Sequence, residues 1–347
     1  FYSVGLRAFV DNDQENSQNH VLSAAMAYRT PRGNFFRLSD TYLDTTDLST
    51  SEEQSNIAPR TRWHDNRVEA VLGMPELPFL ERMDFEVDYT FETRYFDRTE
   101  NSTEDRYLNE LMVRVYYDAS PILPKTRWLV EYGMGAVDYD EGELVRRDAD
   151  YQIVRAGISI EPTAKLTGTA TAGVQFREFD FPPAPALGVA EPQELELFNV
   201  RTNLRYRYGV GRDEVGEKGA INLTALREIR ESAFRFLERI EPVVEVTRID
   251  LGLQHRLNFA PLTIFANAFY EFDDFPGRVL NPDTGLLDER QDDFLGGSAR
   301  LRLEGRWPGR RLNLFAEAGY EINDRDSNFN LKDYLVNRVS LIVGTNF

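Results

Sequence analysis

The chain has 347 residues, enough for one large domain or two ordinary ones, and sets 40 Lys and Arg against 58 Asp and Glu for a net charge of -18. That balance excludes nucleic acid as the main partner, and no apolar run approaches the ~20 residues that a membrane-spanning helix needs. Cysteine is absent, which excludes disulfides and thiolate metal sites and suits an oxidising compartment. No secretory leader opens the chain at Phe1, which fits either a cytosolic protein or a mature, trimmed one.

Taken in chain order, segments near 1–10, 20–29, 34–43 and 66–73 alternate apolar and polar residues with a period of two, the pattern of β-strands with two unlike faces. Over 82–93 the alternation is sharpest. Met83, Phe85, Val87, Tyr89 and Phe91 form one face, while Arg82, Asp84, Glu86, Asp88 and Glu92 stand on the other. The next strands, near 107–118 and 127–138, add Glu110, Arg114 and Glu131 to the polar face. Strands near 151–161, 165–177 and 196–209 follow, and the last of these carries Arg201, Arg205 and Arg207. Further strands are expected near 219–229, 244–257, 262–273, 293–304, 311–322 and 334–347. They contribute Arg300, Arg302, Glu304, Glu317 and Arg338 to the polar face.

Most of these segments exceed the ~5–6 residues usual in globular sheets and match the ~9–11 of a tilted strand crossing a bilayer. Their connectors alternate. Thr30–Gly33, Pro75–Leu80, Ser120–Thr126, Glu161–Ala164, Asn258–Pro261 and Gly305–Arg310 are short, whereas 44–65, 94–106, 138–150, 178–195, 274–292 and 323–333 are long and polar. Short turns on one side and long loops on the other predict a transmembrane antiparallel up-and-down β-barrel of about 16 strands, with 18 as an alternative, as a single domain over 1–347. Both termini then lie on the periplasmic side. The last strand, ending on Phe347, has the alternation and final aromatic typical of outer-membrane barrels. It is expected to close the sheet against the first strand and to be read by the barrel-assembly machinery during insertion.

One segment breaks the pattern. Leu223, Leu226, Ile229, Ala233, Phe236, Leu237 and Ile240 fall at helical spacing, which predicts either a short amphipathic helix or an irregular strand.

Pro162 to Asp180 (PTAKLTGTATAGVQFREFD) resembles a strand–turn–strand unit of the beta-barrel porin type 2 family, and Asp333 to Leu341 is similar to that family's closing strand. The likeness is diffuse over about the last 200 residues of the chain. It implies an outer-membrane barrel of a Gram-negative bacterium, with a role in exopolysaccharide export. It assigns no catalytic residue.

The polar faces, turned inward, predict a pore lined by the carboxylates and arginines named above. Acidic groups facing arginines create a field that selects polar solutes, and Arg–carboxylate ladders that stiffen the wall are the structural alternative. The expected function is a porin or channel for a polysaccharide or small polar solutes. The alternative is a plugged structural or partner-binding barrel in a larger envelope complex. Outer-membrane lipid, lipopolysaccharide and export-complex subunits are the expected partners. Asp11 to Asn16 and Asn323 to Asn328 space oxygen ligands as calcium loops do, without the Gly and distal Glu of an EF-hand. No other cofactor is indicated. An enzyme is not expected, because the three histidines, His20, His64 and His255, fall at rim or interface positions with no nucleophile motif beside them.

Overall fold

The structure, a computed structural model, describes residues 2–7, 17–45, 62–75, 82–97, 105–139, 148–163, 165–179, 194–209, 218–231, 235–236, 239–240, 243–257, 260–280, 284–306, 313–329 and 333–346. The strands are β1 (Tyr2–Arg7), β2 (Ser17–Arg29), β3 (Phe35–Thr45), β4 (Trp63–Met74), β5 (Met83–Phe96), β6 (Arg106–Asp118), β7 (Thr126–Tyr139), β8 (Ala149–Thr163) and β9 (Leu166–Phe179). They continue as β10 (Glu194–Tyr208), β11 (Gly219–Glu231), β12 (Arg235–Phe236), β13 (Arg239–Ile240), β14 (Val243–Arg256), β15 (Leu262–Leu280), β16 (Leu287–Arg306), β17 (Asn313–Ser327) and β18 (Tyr334–Asn346). All but β12 and β13 form one 16-stranded sheet whose spatial order is the chain order. Each neighbouring pair is antiparallel. This is an all-β up-and-down meander of the outer-membrane β-barrel class.

The sheet has two unlike faces, as the alternation requires. One presents Leu22, Met26, Trp128, Val130, Phe198, Leu251, Val339 and Leu341 as exposed apolar side chains. On the other face, side chains two strands apart touch. Arg127 of β7 donates to Asp84 of β5 at 3.0 Å, Tyr151 of β8 to Glu110 of β6 at 2.7 Å, and Arg155 of β8 to Asn199 of β10 at 2.9 Å. Second neighbours are roughly 9.5 Å apart in a flat sheet, so such contacts mark this face as concave. Strands of 13–15 residues dominate. At ~3.3 Å per residue they measure roughly 45 Å, or about 35 Å once tilted, which spans a hydrocarbon core with its interfaces.

The exposed apolar face makes a direct prediction. Leu251 is 52% exposed in the middle of β14, and Leu251→Arg should cost about 2–4 kcal/mol of folding stability in lipid vesicles. Thr224→Arg, on the concave face of β11, should cost little. Equal losses from both, read by urea unfolding in vesicles, would remove the assignment of the two faces.

Short connections have local causes. Gly33, at φ 88°, closes the β2–β3 turn through its N–H to the Thr30 carbonyl at 2.9 Å. At β8–β9, the Thr163 hydroxyl accepts from the N–H groups of Lys165 and Leu166, both at 3.1 Å.

The structure revises several expectations. The loop expected over 274–292 is largely strand, because β15 and β16 run on past a bulge at Phe275/Arg278 to the pair Leu280↔Leu287. Helical spacing over 223–231 belongs to β11, whose two faces are both partly apolar there, and the described residues beyond it form the β12–β13 hairpin. Ala233 and Leu237 lie outside the described residues. Asn323–Ser327, expected as a loop, is instead the end of β17, where alternation sends Arg325 inward and leaves Asp324 and Asp326 exposed. Asp11–Asn16 and Phe347 lie outside the described residues. Among the described residues the ladder runs from β1 to β18 without a pair joining its two ends.

Candidate functional site

The concave wall is the candidate site. Strand register places Asp84, Glu86, Asp88 and Glu92 of β5, Glu110 and Arg114 of β6, Glu131 of β7, and Arg201, Arg205 and Arg207 of β10 on it. Arg300, Arg302 and Glu304 of β16, Glu317 of β17 and Arg338 of β18 share that face. Arg82 stands outside β5, exposed and at φ 72°.

Many of these groups are joined in transverse belts rather than facing one another as isolated charges. The longest begins at Glu86, which accepts from Arg114 at 2.8 Å; Arg114 also donates to Glu131 at 3.1 Å. Glu131 in turn accepts from Arg155 at 2.8 Å. Arg155 donates to Asn199, and Asn199 to Gln175 at 3.1 Å. The belt thus crosses β5 to β10 without a break. The Glu131 and Arg155 side chains are only 7% and 1% exposed. Two charges so far from water persist because each has several partners.

Shorter belts repeat the device. Asp65, Arg94, Glu92 and Arg106 bridge β4 to β6. Arg248 of β14 joins Asp250 of its own strand at 2.8 Å and Glu271 of β15 at 3.0 Å. Arg300 pairs with Glu317 at 3.3 Å, Arg302 with Glu304 at 3.2 Å, and Arg338 with Glu321 at 3.5 Å. Asp292 binds both Arg290, at 2.5 Å, and Arg325, and all three side chains are fully buried.

Aromatic residues on the same wall escape a reading from polarity. Arg248 stacks on Phe269 at 4.2 Å, Arg290 on Phe275 at 4.0 Å and Arg302 on Phe315 at 4.2 Å. Cation–π contacts let a guanidinium keep its charge on an apolar neighbour. Glycines opposite make the room. A Cβ at Gly296 would meet the Phe269 ring at 2.3 Å, and one at Gly135 the Tyr151 ring at 2.5 Å. The sequence signal was present, since Phe265, Phe269 and Phe275 share one parity in β15. Choosing the face needs the register with Arg300 and Gly296.

The wall is narrowed from within. The β10–β11 ladder stops at Val200↔Arg227, yet β11 stays paired with β14 as far as Glu231↔Val243, and β10 with β9 as far as Glu194↔Glu178. Beyond Arg227 the β11–β14 arm therefore leaves β10 and bends over the concave face. Ile229 packs there on Ala149 of β8, Phe179 of β9 and Leu197 of β10. Gln175 clamps it, accepting from the Ile229 N–H at 2.9 Å and donating to the Ile229 carbonyl at 3.2 Å. At the arm's other edge, Val244 and Val246 pack on Phe275 and Leu226.

Towards the short-turn end, below the long belt, lies a polar recess of about 950 Å³ walled by β7–β11.

The histidines stand elsewhere. His64 sits on the convex face at the long-loop rim, hydrogen-bonded to Tyr42 at 2.9 Å and Asp97 at 2.8 Å. Asp44, beside it, accepts from Arg62 at 2.7 and 2.5 Å, which pushes the Arg62 guanidinium pKa up. His20 is the register partner of Asp44. His255 stacks on Tyr208 at the short-turn end. Among the described residues no group of three or more His, Asp or Glu is placed to hold a metal ion.

No protein-family model and no curated protein matches the chain. Solved structures do match. The FrpB iron transporter from Neisseria meningitidis (F3-3 variant) is 9% identical, with 92% of this chain and 54% of that one covered and a TM-score of 0.45. The copper transporter OprC is 10% identical, with 98% and 59% covered and a TM-score of 0.47. The siderophore receptor PirA from Pseudomonas aeruginosa is 10% identical, with 97% and 62% covered and a TM-score of 0.42. The chain spans little more than half the length of these structures.

Proposed function

We propose that the chain is a channel in the outer membrane of a Gram-negative bacterium that passes polar solutes through the barrel interior. One observation carries this reading. A concave wall built of charged and amide side chains lies behind a convex wall of exposed leucine, valine and aromatic residues. A sheet with that polarity is stable when lipid covers the outside and water fills the inside. Sixteen strands, once closed edge to edge, enclose an aqueous lumen. The likeness of 162–180 and 333–341 to the beta-barrel porin type 2 family supports an exopolysaccharide as cargo. Lipid and lipopolysaccharide would contact the convex face, and assembly would engage the C-terminal strand.

Purified protein, folded in detergent and added to a planar bilayer, should give steady conductance steps of porin size. A folded barrel that stays silent would replace the open pore with the second reading, a plugged or partner-binding barrel. The inward β11–β14 arm and the buried Arg290–Asp292–Arg325 group favour that alternative.

A further inference from the structure

Below Arg155 on β8 and Arg201 on β10, the concave wall changes from charged to largely neutral side chains. Register sets Ser159, Thr169, Asn203 and Thr224 in one row across β8, β9, β10 and β11. Thr167 and Asn222 stand in the next row down, on either side of Arg205. All six line the recess of about 950 Å³. Neighbours within a row are about 5 Å apart and the two rows about 6.6 Å apart. The wall of the recess is therefore a two-dimensional array of hydroxyl and amide groups. Asn203 is exposed and the other five are half-buried. None of the six side chains is hydrogen-bonded to another described residue. Higher on the same strands the amides are committed, Asn199 to Arg155 and to Gln175, and Gln175 to the Ile229 backbone. The charges on the lining do not select an ion. Arg127 is held by Asp84 at 3.0 Å, Asp118 accepts from the Ser120 N–H at 2.9 Å, and Arg205 is engaged within the protein. Lys125 and Glu161, of opposite sign, stand exposed at the short-turn edge.

We infer that this recess is a binding site for a neutral sugar unit, whose hydroxyls pair with the hydroxyl and amide side chains of β8–β11. Three features point to that class. A sugar presents hydroxyls around a compact ring, each of them both donor and acceptor. Ser and Thr answer with one O–H and two lone pairs, and Asn with two N–H donors and a carbonyl, so the array matches such a ligand in both senses. An ion gains less from it, because leaving water is costly for a charge that meets no free opposite charge inside. The second feature is the sparse apolar lining. Ile160 is the one large apolar residue on it, too little for a hydrophobic ligand, while the methyl groups of Thr167, Thr169 and Thr224 suit the C–H surface of a sugar ring. The third is size. The volume falls within the ~300–1,000 Å³ of small-molecule sites and accommodates an oligosaccharide fragment. That the bound sugar is a solute of the channel rests on the pore reading above; that the recess binds it does not.

The test uses the full chain folded in detergent and titrated calorimetrically with maltotriose, cellotriose, mannotriose and digalacturonate, followed by current block in planar bilayers. At least one neutral trisaccharide should bind saturably with a Kd of about 1 mM or tighter, and digalacturonate should bind no more tightly than that one. Asn203→Ala combined with Asn222→Ala removes two amide partners and should weaken the bound trisaccharide about tenfold. Thr169→Tyr, which fills the recess without touching charge, should remove binding. Both variants are first checked for the folded mobility shift in unheated gels, and if one fails to fold the other still decides. No binding of any of the three trisaccharides, tighter binding of digalacturonate, or unchanged affinity in the folded variants would overturn the site. Binding by a barrel that does not conduct would overturn the pore and leave the site standing, and conductance without binding would do the reverse.

Discussion

Asp292→Ala is expected to cost about 3–5 kcal/mol, the loss that follows when one partner of a buried ion group is removed. Asp292 is the shared acceptor of Arg290 and Arg325, and none of the three side chains reaches solvent. Without the carboxylate, two guanidiniums lose their shared acceptor in a pocket walled by Phe275 and Phe294. The pocket is closed by the segment after β17. Asn328 donates to the Glu289 carbonyl and accepts from the Gln291 N–H, both at 2.8 Å, and Phe329 is buried beside it. Water therefore has little access to relieve the charge. Glu304→Ala is the matched control. Its pair with Arg302 leaves Glu304 54% exposed, and such pairs contribute about 1 kcal/mol or less. Urea unfolding in vesicles should separate the two variants clearly. The triple change Arg290→Met, Asp292→Leu and Arg325→Met should recover most of the loss, since it removes the charges together. Similar midpoints for Asp292→Ala and Glu304→Ala would mean that the triad is hydrated and structurally unimportant.

The strands were legible because period-two alternation has a direct physical cause. Residues such as Asp84, Glu86 and Asp88 are tolerated in a long strand only when every second side chain meets water. The same parity put Arg201, Arg205 and Arg207 on one face before any pairing was known. What could not be read was which groups meet. Arg114 binds Glu86 and Glu131 because β5, β6 and β7 are in one register, and register is a property of turns and neighbours rather than of one segment. The choice left open over 223–240, where the described residues are strand, and the failure over 274–292 share a cause. Towards Glu231 and past Phe275 the strands run on beyond the lipid zone, the outer face need no longer be apolar, and alternation fades. Ile229 and Phe275 turn to the interior of the barrel there, where helical and strand spacing look alike over a few residues.

Shortening the arm beyond Arg227 and Thr247, with a two-residue Asn-Gly turn replacing 228–246, should raise single-channel conductance by about twofold or more, because it withdraws chain from the concave side of β8–β10. The site of the cut follows from the ladders. Up to Arg227 and Thr247 the two strands belong to the wall, with β11 paired to both β10 and β14. Past that point β11 has lost β10, so its removal opens no edge towards β10, and towards β15 it frees only Asp273 and Asp274, the partners of Val246 and Glu245. A gentler variant tests the clamp alone. Gln175→Ala deletes both hydrogen bonds to the Ile229 backbone. The N–H and carbonyl can then pair with lumenal water, so the change should loosen the arm without unfolding the wall, and open-channel noise should rise more than mean conductance. The contacts of Ile229 with Phe179 and Leu197 still favour the inward position, which makes Gln175→Ala and Ile229→Ala together the stronger opening. If conductance and noise were unchanged in both the shortened and the clamp variants, the arm would lie outside the ion path and the narrowest point would have to be sought at the Glu131–Arg155 belt instead.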